Sequence, residues 1–311
     1  MTTPLTRDHG GGLDAAIARF GGTRADWIDL STGINPNPYP VGDLGGDVRT
    51  ALPDRAAQDA LVDAARRFWN VPDNLDVLAA PGASCLIAQM PRLLPTGTVR
   101  IDLPTYNEHA ATFAGHRWTF AGGDADVRVV VHPNNPTGEF WDGSGAHRLV
   151  IVDESFCDVV PQQTLVSQAG KGVVILKSFG KFWGLAGLRL GFLIGEEAQV
   201  QRVRDWLGPW PVSGPALKIG AAALADIGWA ERTRRALSLA SDELDRRVLA
   251  AGGRVVGGTT LFRLYEVDDA AMWQDRLAQN HIWSRMFPYS KTWLRLGLPP
   301  ESGWERLGAA L

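Results

Sequence analysis

Three short stretches of the 311-residue chain carry side chains whose types and order suit amine chemistry on a bound group. Lysine is scarce: the 31 basic residues include only five, at positions 171, 177, 181, 218 and 291, so each is a short-list nucleophile. Lys181 lies in LKSFGKFWGLAGLRLGF, residues 176–192, between Ser178 and Arg189, where Gly184 and Gly187 prevent a regular helix. Withdrawal from water lowers an amine pKa and leaves the neutral nucleophile that a Schiff base needs. Taken alone, the same residue reads equally as a lysine that packs its stem and extends its head to solvent. Asp153 closes the apolar run LVIVD, 149–153, and in α/β sheets ligands sit beyond the carboxyl ends of strands. By itself it serves as well for a helix N-cap or a turn. Asn135 lies in VVVHPNNPTG, 129–138, where an apolar run breaks at two prolines and a glycine. That stretch alone is a surface turn.

The elements that must position these residues follow from periodicity. Short apolar runs at 76–80, 99–103, 127–132, 149–153 and 172–178 alternate with helical stretches at 55–69, 84–94 and 106–113. Such alternation predicts a mostly parallel sheet covered by helices. A short helix is expected over 13–20. A strand that turns into a Pro/Asn-rich extended segment is expected over 28–40, because each proline keeps its predecessor out of the helical region. From 214 to 251 the pattern is helical, and 254–311 reads as a smaller α+β unit. The expected organisation is an N-terminal arm, 1–38, a large domain, 39–225, and a small C-terminal domain, 226–311.

Composition narrows the class. Hydrophobic residues make up 45% and the net charge is −3, which argues against a protein that grips nucleic acid through its phosphates. Cys85 and Cys157 are the only cysteines and form no CxxC; this excludes a disulfide scaffold and a cysteine-based zinc site, and fits a reducing cytoplasm. No metal is expected. No apolar run is long enough for a membrane span, and Met1–Gly12 has no apolar core of a secretory signal. No GxGxxG follows a strand and opens a helix, which sets aside a dinucleotide enzyme.

Asn135, Asp153, Ser178, Lys181 and Arg189, in this order and spacing, resemble the fold-type-I pyridoxal-phosphate enzymes of the aminotransferase class I/II family. The resemblance covers nearly the whole chain. It implies an α/β fold with a large, mostly parallel-sheet domain and a smaller α+β domain, pyridoxal 5'-phosphate as cofactor, and a homodimer with its active site at the interface. It also implies roles. Lys181 is the Schiff-base lysine. Asp153 pairs with the pyridinium nitrogen and keeps the ring an electron sink. Asn135 donates to the ring O3'. Ser178 and Arg189 hold the cofactor phosphate, with Gly82, Ala83 and Ser84, which lie where a strand turns into a helix. Tyr106 stacks on the ring. Lys181, Asp153 and Tyr106 are thus the implied catalytic set.

The N-terminal HGGGLDAAIARFGG…DLSTGINPNPYP is similar to one branch of that family, which decarboxylates L-threonine O-3-phosphate to (R)-1-aminopropan-2-yl phosphate for cobalamin biosynthesis. The matching residues are His9, Gly10, Gly11, Ser31, Gly33, Ile34, Asn35 and Pro36. Phe156, three after Asp153, fits the same branch. Arg295, in WLRLGL, matches the family arginine that forks the substrate carboxylate, and Arg285 is a candidate for the substrate phosphate or a second carboxylate contact. His9 and the amides of Gly10–Gly12 are read as an anion nest. Asn35 is placed at the carboxylate, and His9, Gly10, Gly33, Ile34 and Asn35 complete the implied substrate set. Relatives often carry a tyrosine before Pro-Asp that reaches the partner subunit's cofactor phosphate. Here Leu52 precedes Pro53-Asp54 and cannot donate. The alternatives are an aminotransferase of a phosphorylated substrate and a non-catalytic relative of the fold; intact Asp153, Lys181 and Arg189 speak against the second.

Overall fold

The computed structural model describes residues 8–145 and 147–311. Met1–Arg7, part of the stretch searched above for a leader, lie outside the described residues. The chain divides into two compact units. One gathers the chain up to Asn37, Pro136–Glu139 and Thr233–Leu311; the other comprises Pro38–Asn135 and Phe140–Arg232.

The chain opens with α1 (Leu13–Phe20), which buries Leu13 and Ala16 and stops at Gly21, φ 82°. The strand expected after it is only two residues long, β1 (Ile28–Asp29), and just beyond it the Asp29 carboxylate accepts from the Ser31 amide at 2.9 Å, a local turn bond. The larger unit then begins with α2 (Arg55–Phe68), capped by Asp54, whose carboxylate accepts from the Ala57 amide at 2.8 Å. Next come β2 (Asp76–Ala80), α3 (Ala83–Gln89), β3 (Thr98–Ile101), α4 (Asn107–Gly115), β4 (Thr119–Phe120), β5 (Val127–Val131), β6 (Leu149–Asp153), β7 (Val173–Ser178) and β8 (Gly191–Gly195). Helices α5 (Glu197–Leu207), α6 (Gly214–Ala225) and α7 (Ile227–Ala250) follow. The helix expected over 84–94 ends early. It tightens to a 3-10 turn at Met90–Arg92, since Pro91 cannot donate the helical hydrogen bond.

The strands form one seven-stranded sheet in the order β2-β8-β7-β6-β5-β3-β4. β7, β6, β5, β3 and β4 are parallel, as the alternation predicts. β8 is antiparallel to both its neighbours. Every residue of β5, β6 and β8 is buried, which explains why these strands read as continuous apolar runs.

The smaller unit contributes β9 (Arg254–Thr259), β10 (Phe262–Glu266), α8 (Ala270–Gln279), β11 (Ile282–Trp283), β12 (Arg285–Phe287), β13 (Ser290–Gly297) and α9 (Trp304–Ala310). Its antiparallel sheet runs β12-β13-β10-β9, and β1 pairs with β11 in parallel. Arg285 stands directly opposite Arg295 across β12 and β13.

Candidate active site

In the larger unit, the sheet register brings most of the cofactor-set residues to one edge. Val131 pairs with Asp153 and Asp153 with Leu176. Ser178 and Ala80 both pair with Gly191. Because β8 runs against its neighbours, its entry lies beside the exits of β2 and β7. Arg189, two residues before β8, therefore arrives where Gly82 and Ser178 lie.

Each residue on this rim is fixed by local chemistry. Asp153 is buried, and its Oδ2 is 2.9 Å from His109 Nε2. Its Oδ1 accepts from the Ser155 amide at 2.9 Å and the Ser155 hydroxyl at 2.5 Å. Burial works against the charge, but the bonds from His109 and Ser155 outweigh it and hold this carboxyl below the usual range. Tyr106 precedes α4; burial, then the nearby Asp153 charge, push its hydroxyl up to about 12, against a hydrogen bond with Ser84. Asn135 follows a loop pinned by Asn134, whose Oδ1 accepts from the Thr105 hydroxyl at 2.6 Å and whose Nδ2 donates to the Pro104 carbonyl at 3.0 Å. Lys181 is half-buried, with Nζ 5.3 Å from the centre of the Phe156 ring.

The turn before α3 shows why glycine stands at 82. Its φ is +85°, and a Cβ there would lie 2.6 Å from Arg189 Nη2. Arg189 itself takes a left-handed backbone, φ 52°, and one guanidinium nitrogen donates to the Ala186 carbonyl at 3.0 Å. An exposed guanidinium, the half-buried Ser178 hydroxyl and the first amides of α3 thus converge. This is a donor set for a phosphate.

Directly beside the rim lies a closed ionic group. Lys177 Nζ is 2.5 Å from Glu154 Oε2 and 3.5 Å from Asp158 Oδ1, all of them buried. Trp69 Nε1 donates to Asp158 at 2.8 Å. Burial opposes the charge on Lys177, but the two carboxylates overcome it and raise its pKa. The deepest lysine is therefore held protonated and is no nucleophile. His132, Glu154 and Cys157 also present ligand atoms within 4.8 Å of one another. The His132 ring is spent, accepting from the Trp141 amide at 3.0 Å on Nδ1 and donating to the Gln163 carbonyl at 2.8 Å from Nε2. Glu154 already accepts from Thr164 at 2.6 Å and the Leu165 amide at 2.5 Å.

The smaller unit holds the substrate-set residues. Arg295 is buried, donates to the Ser31 carbonyl at 2.6 Å and lies 5.1 Å over the Phe262 ring. Burial, then the neighbouring Arg285, lower its pKa to about 10. Arg285 donates from Nη1 to Asp8 Oδ1 at 2.8 Å and from Nη2 to the Asp8 carbonyl at 2.7 Å. A Cβ on Gly10 would overlap the Ser31 carbonyl oxygen. The Gly11 amide donates to Ser31 Oγ at 2.7 Å; it is committed to the protein rather than to an anion nest. His9 is exposed, Gly33 and Asn35 are buried and Ile34 is half-buried. Asn35 Oδ1 accepts from the Asn37 amide at 2.9 Å.

Sequence reasoning missed His109 and Asp8, and had Lys177 only as one of five candidate amines rather than as a member of a buried ionic group. His109 carries a signal in hindsight: three after Tyr106, it lies one helical turn on. Asp8 has none, because its partner is 277 positions away.

Residues 43–311 match the family described as aminotransferase class I and II. The chain belongs to the aminotransferase class I and II family. Within it, the chain is 40% identical to a threonine-phosphate decarboxylase of Sinorhizobium sp, across 98% of this chain and 97% of the relative. It is 37% identical, over the same shares, to a threonine-phosphate decarboxylase of Pseudomonas aeruginosa (strain PAO1). Its fold matches a histidinol-phosphate aminotransferase from Sinorhizobium meliloti, solved in complex with pyridoxal-5'-phosphate, with TM-score 0.81 and 20% identity over 100% of this chain and 96% of that one.

Proposed function

We propose that this family member is a pyridoxal 5'-phosphate-dependent decarboxylase of L-threonine O-3-phosphate, yielding (R)-1-aminopropan-2-yl phosphate and carbon dioxide for cobalamin biosynthesis. The near-full-length likeness to two threonine-phosphate decarboxylases, at 40% and 37% identity, carries this reading. The cross-strand pair Arg285 and Arg295 supports it, since a substrate with a carboxylate and a phosphate needs two cationic anchors.

The rim residues fit the cofactor. Arg189, Ser178 and the Gly82–Ser84 turn would hold its phosphate, and Gly82 leaves room for that guanidinium. Asp153, kept ionised by His109 and Ser155, would face the pyridinium nitrogen, with Tyr106 against the ring and Asn135 at O3'. When bound, the cofactor supplies an electron sink for the pair released at Cα. The protein supplies the rest. Lys181 Nζ would provide the amine that holds the cofactor and would carry the proton delivered to Cα after carbon dioxide leaves. Arg295 binds the α-carboxylate and Arg285 the phosphate. Together they orient the substrate so that the bond to the carboxyl carbon, not the Cα–H bond, breaks.

Incubation of the holoenzyme with O-phospho-L-threonine, without a keto acid, tests this. Equimolar carbon dioxide and aminopropanol phosphate are expected. Conversion of the cofactor to its pyridoxamine form without gas release would instead establish an aminotransferase, a reading favoured by the family description and by the histidinol-phosphate aminotransferase fold. The same proposal takes the chain as a homodimer, a reading that rests on the family resemblance and is checked by light scattering. A cytoplasmic location is supported by Cys85 and Cys157, both free thiols. No described helix is long and apolar enough to cross a membrane.

A further inference from the structure

Two guanidinium groups on facing strand positions repel one another. Arg295 meets this strain while buried, with a carbonyl oxygen as acceptor. Asp29 lies close but turns its carboxylate to Ser31, accepting from the amide at 2.9 Å and the hydroxyl at 2.5 Å. Arg285 is answered differently. Both of its terminal nitrogens are engaged by one residue, Asp8, through carboxylate and carbonyl. Arg285 is 12% exposed and Asp8 33%, so solvent and ligands reach this pair. Three residues on, the chain is pinned by the Gly11–Ser31 bond, and Gly11 and Gly12 take positive φ, 99° and 57°. Asp8 is thus a carboxylate on a short tether next to a fixed point.

We propose that Asp8 is a built-in counter-ion that closes the fork of Arg285 and makes this arginine a charge filter, yielding to a phosphate dianion and not to a carboxylate. The inference rests on the reading of Arg285 as a substrate-anion anchor. A ligand carboxylate that displaces Asp8 exchanges like for like, against a competitor whose tether gives it an effective concentration on the order of millimolar. A phosphate brings about −1.5 to −2 charge and three acceptor oxygens, so it offers Arg285 more than the carboxylate it displaces. The filter thereby separates phosphorylated amino acids from acidic ones of similar length.

Calorimetric titration of the holoenzyme with inorganic phosphate and with acetate reads the filter directly, in wild type, Asp8→Asn, Asp8→Ala and Arg285→Gln. In wild type, phosphate is expected to bind well ahead of acetate. Either Asp8 variant should gain roughly tenfold for each ion, the size of one charge-assisted hydrogen bond, because both must displace the same carboxylate in wild type, so acetate then binds at concentrations where wild type excludes it. Arg285→Gln should lose phosphate and keep only the acetate that Arg295 binds. The proposal is overturned if both Asp8 variants bind acetate and phosphate no more tightly than wild type, if Arg285→Gln retains wild-type phosphate binding, or if wild type binds neither ion. Gas release from O-phospho-L-threonine by wild type is scored separately. A working decarboxylase whose Asp8 variants gain no affinity loses only the filter; a gain in affinity without decarboxylation keeps the filter and loses the substrate.

Discussion

Two lysines four residues apart, Lys177 and Lys181, face opposite fates. Successive residues of a strand point to opposite faces, so Lys177 and Ser178 part company at the end of β7. On one side Lys177 joins Glu154 and Asp158 in a closed, buried set of charges. On the other, Ser178 opens onto the rim with Lys181, Arg189 and an Asp153 held from behind by His109. Burial alone would pick the wrong nucleophile. What separates structure from chemistry here is saturation: the charges around Lys177 satisfy one another, whereas the exposed guanidinium of Arg189 still has donors to give.

Four perturbations break or sharpen this contrast. Lys181→Ala should cost roughly 10³-fold or more in carbon dioxide release, as loss of an essential proton carrier does, while the melting temperature stays near wild type. Lys177→Met should do the reverse. Leaving Glu154 buried without its cation costs about 3–5 kcal/mol, read as a lower denaturant midpoint, with turnover per folded molecule little changed. His109→Phe should lower kcat by roughly 10–100-fold, the usual cost of removing a residue that orients a functional one, and shift the cofactor absorbance as Asp153 loses its partner. The smallest effect concerns acid. The folded Asp153 pKa lies below its unfolded value of about 3.9, so its stabilisation is complete above that pH and fades as pH falls through the folded value. His109→Phe raises the folded pKa, so its acid-unfolding midpoint, followed by circular dichroism, should lie at higher pH than that of wild type.

Much of the larger unit was legible because its signals are local. LVIVD announces both a buried strand and the carboxylate at its end. DVLAAPGAS shows a strand, a turn that needs glycine and a helix start within nine residues. The hidden parts depend on pairings between distant positions. Only Gly191 and Phe192 of GFLIG fall in the lysine motif, and nothing in the five residues says that the strand runs against its neighbours; yet that direction delivers Arg189 to the rim. The ion pairs of Lys177 with Glu154 and of Arg285 with Asp8 join residues that periodicity places on separate elements. Their meaning lies in geometry rather than in pattern.

The position of β8 also bears on how the molecule is made. β2 is one of the sheet's two edge strands, and its one neighbour in the sheet is β8, made more than a hundred residues later. During synthesis β2 must wait unpaired until that late segment slots between it and β7. Pairings of such sequence separation close slowly. Ala80, Gly191 and Ser178 come into line only at that moment, so a nascent chain has no complete phosphate cradle. Capture of the cofactor then marks a finished sheet, and holoenzyme formation becomes a readout of the entry of this sheet's last strand.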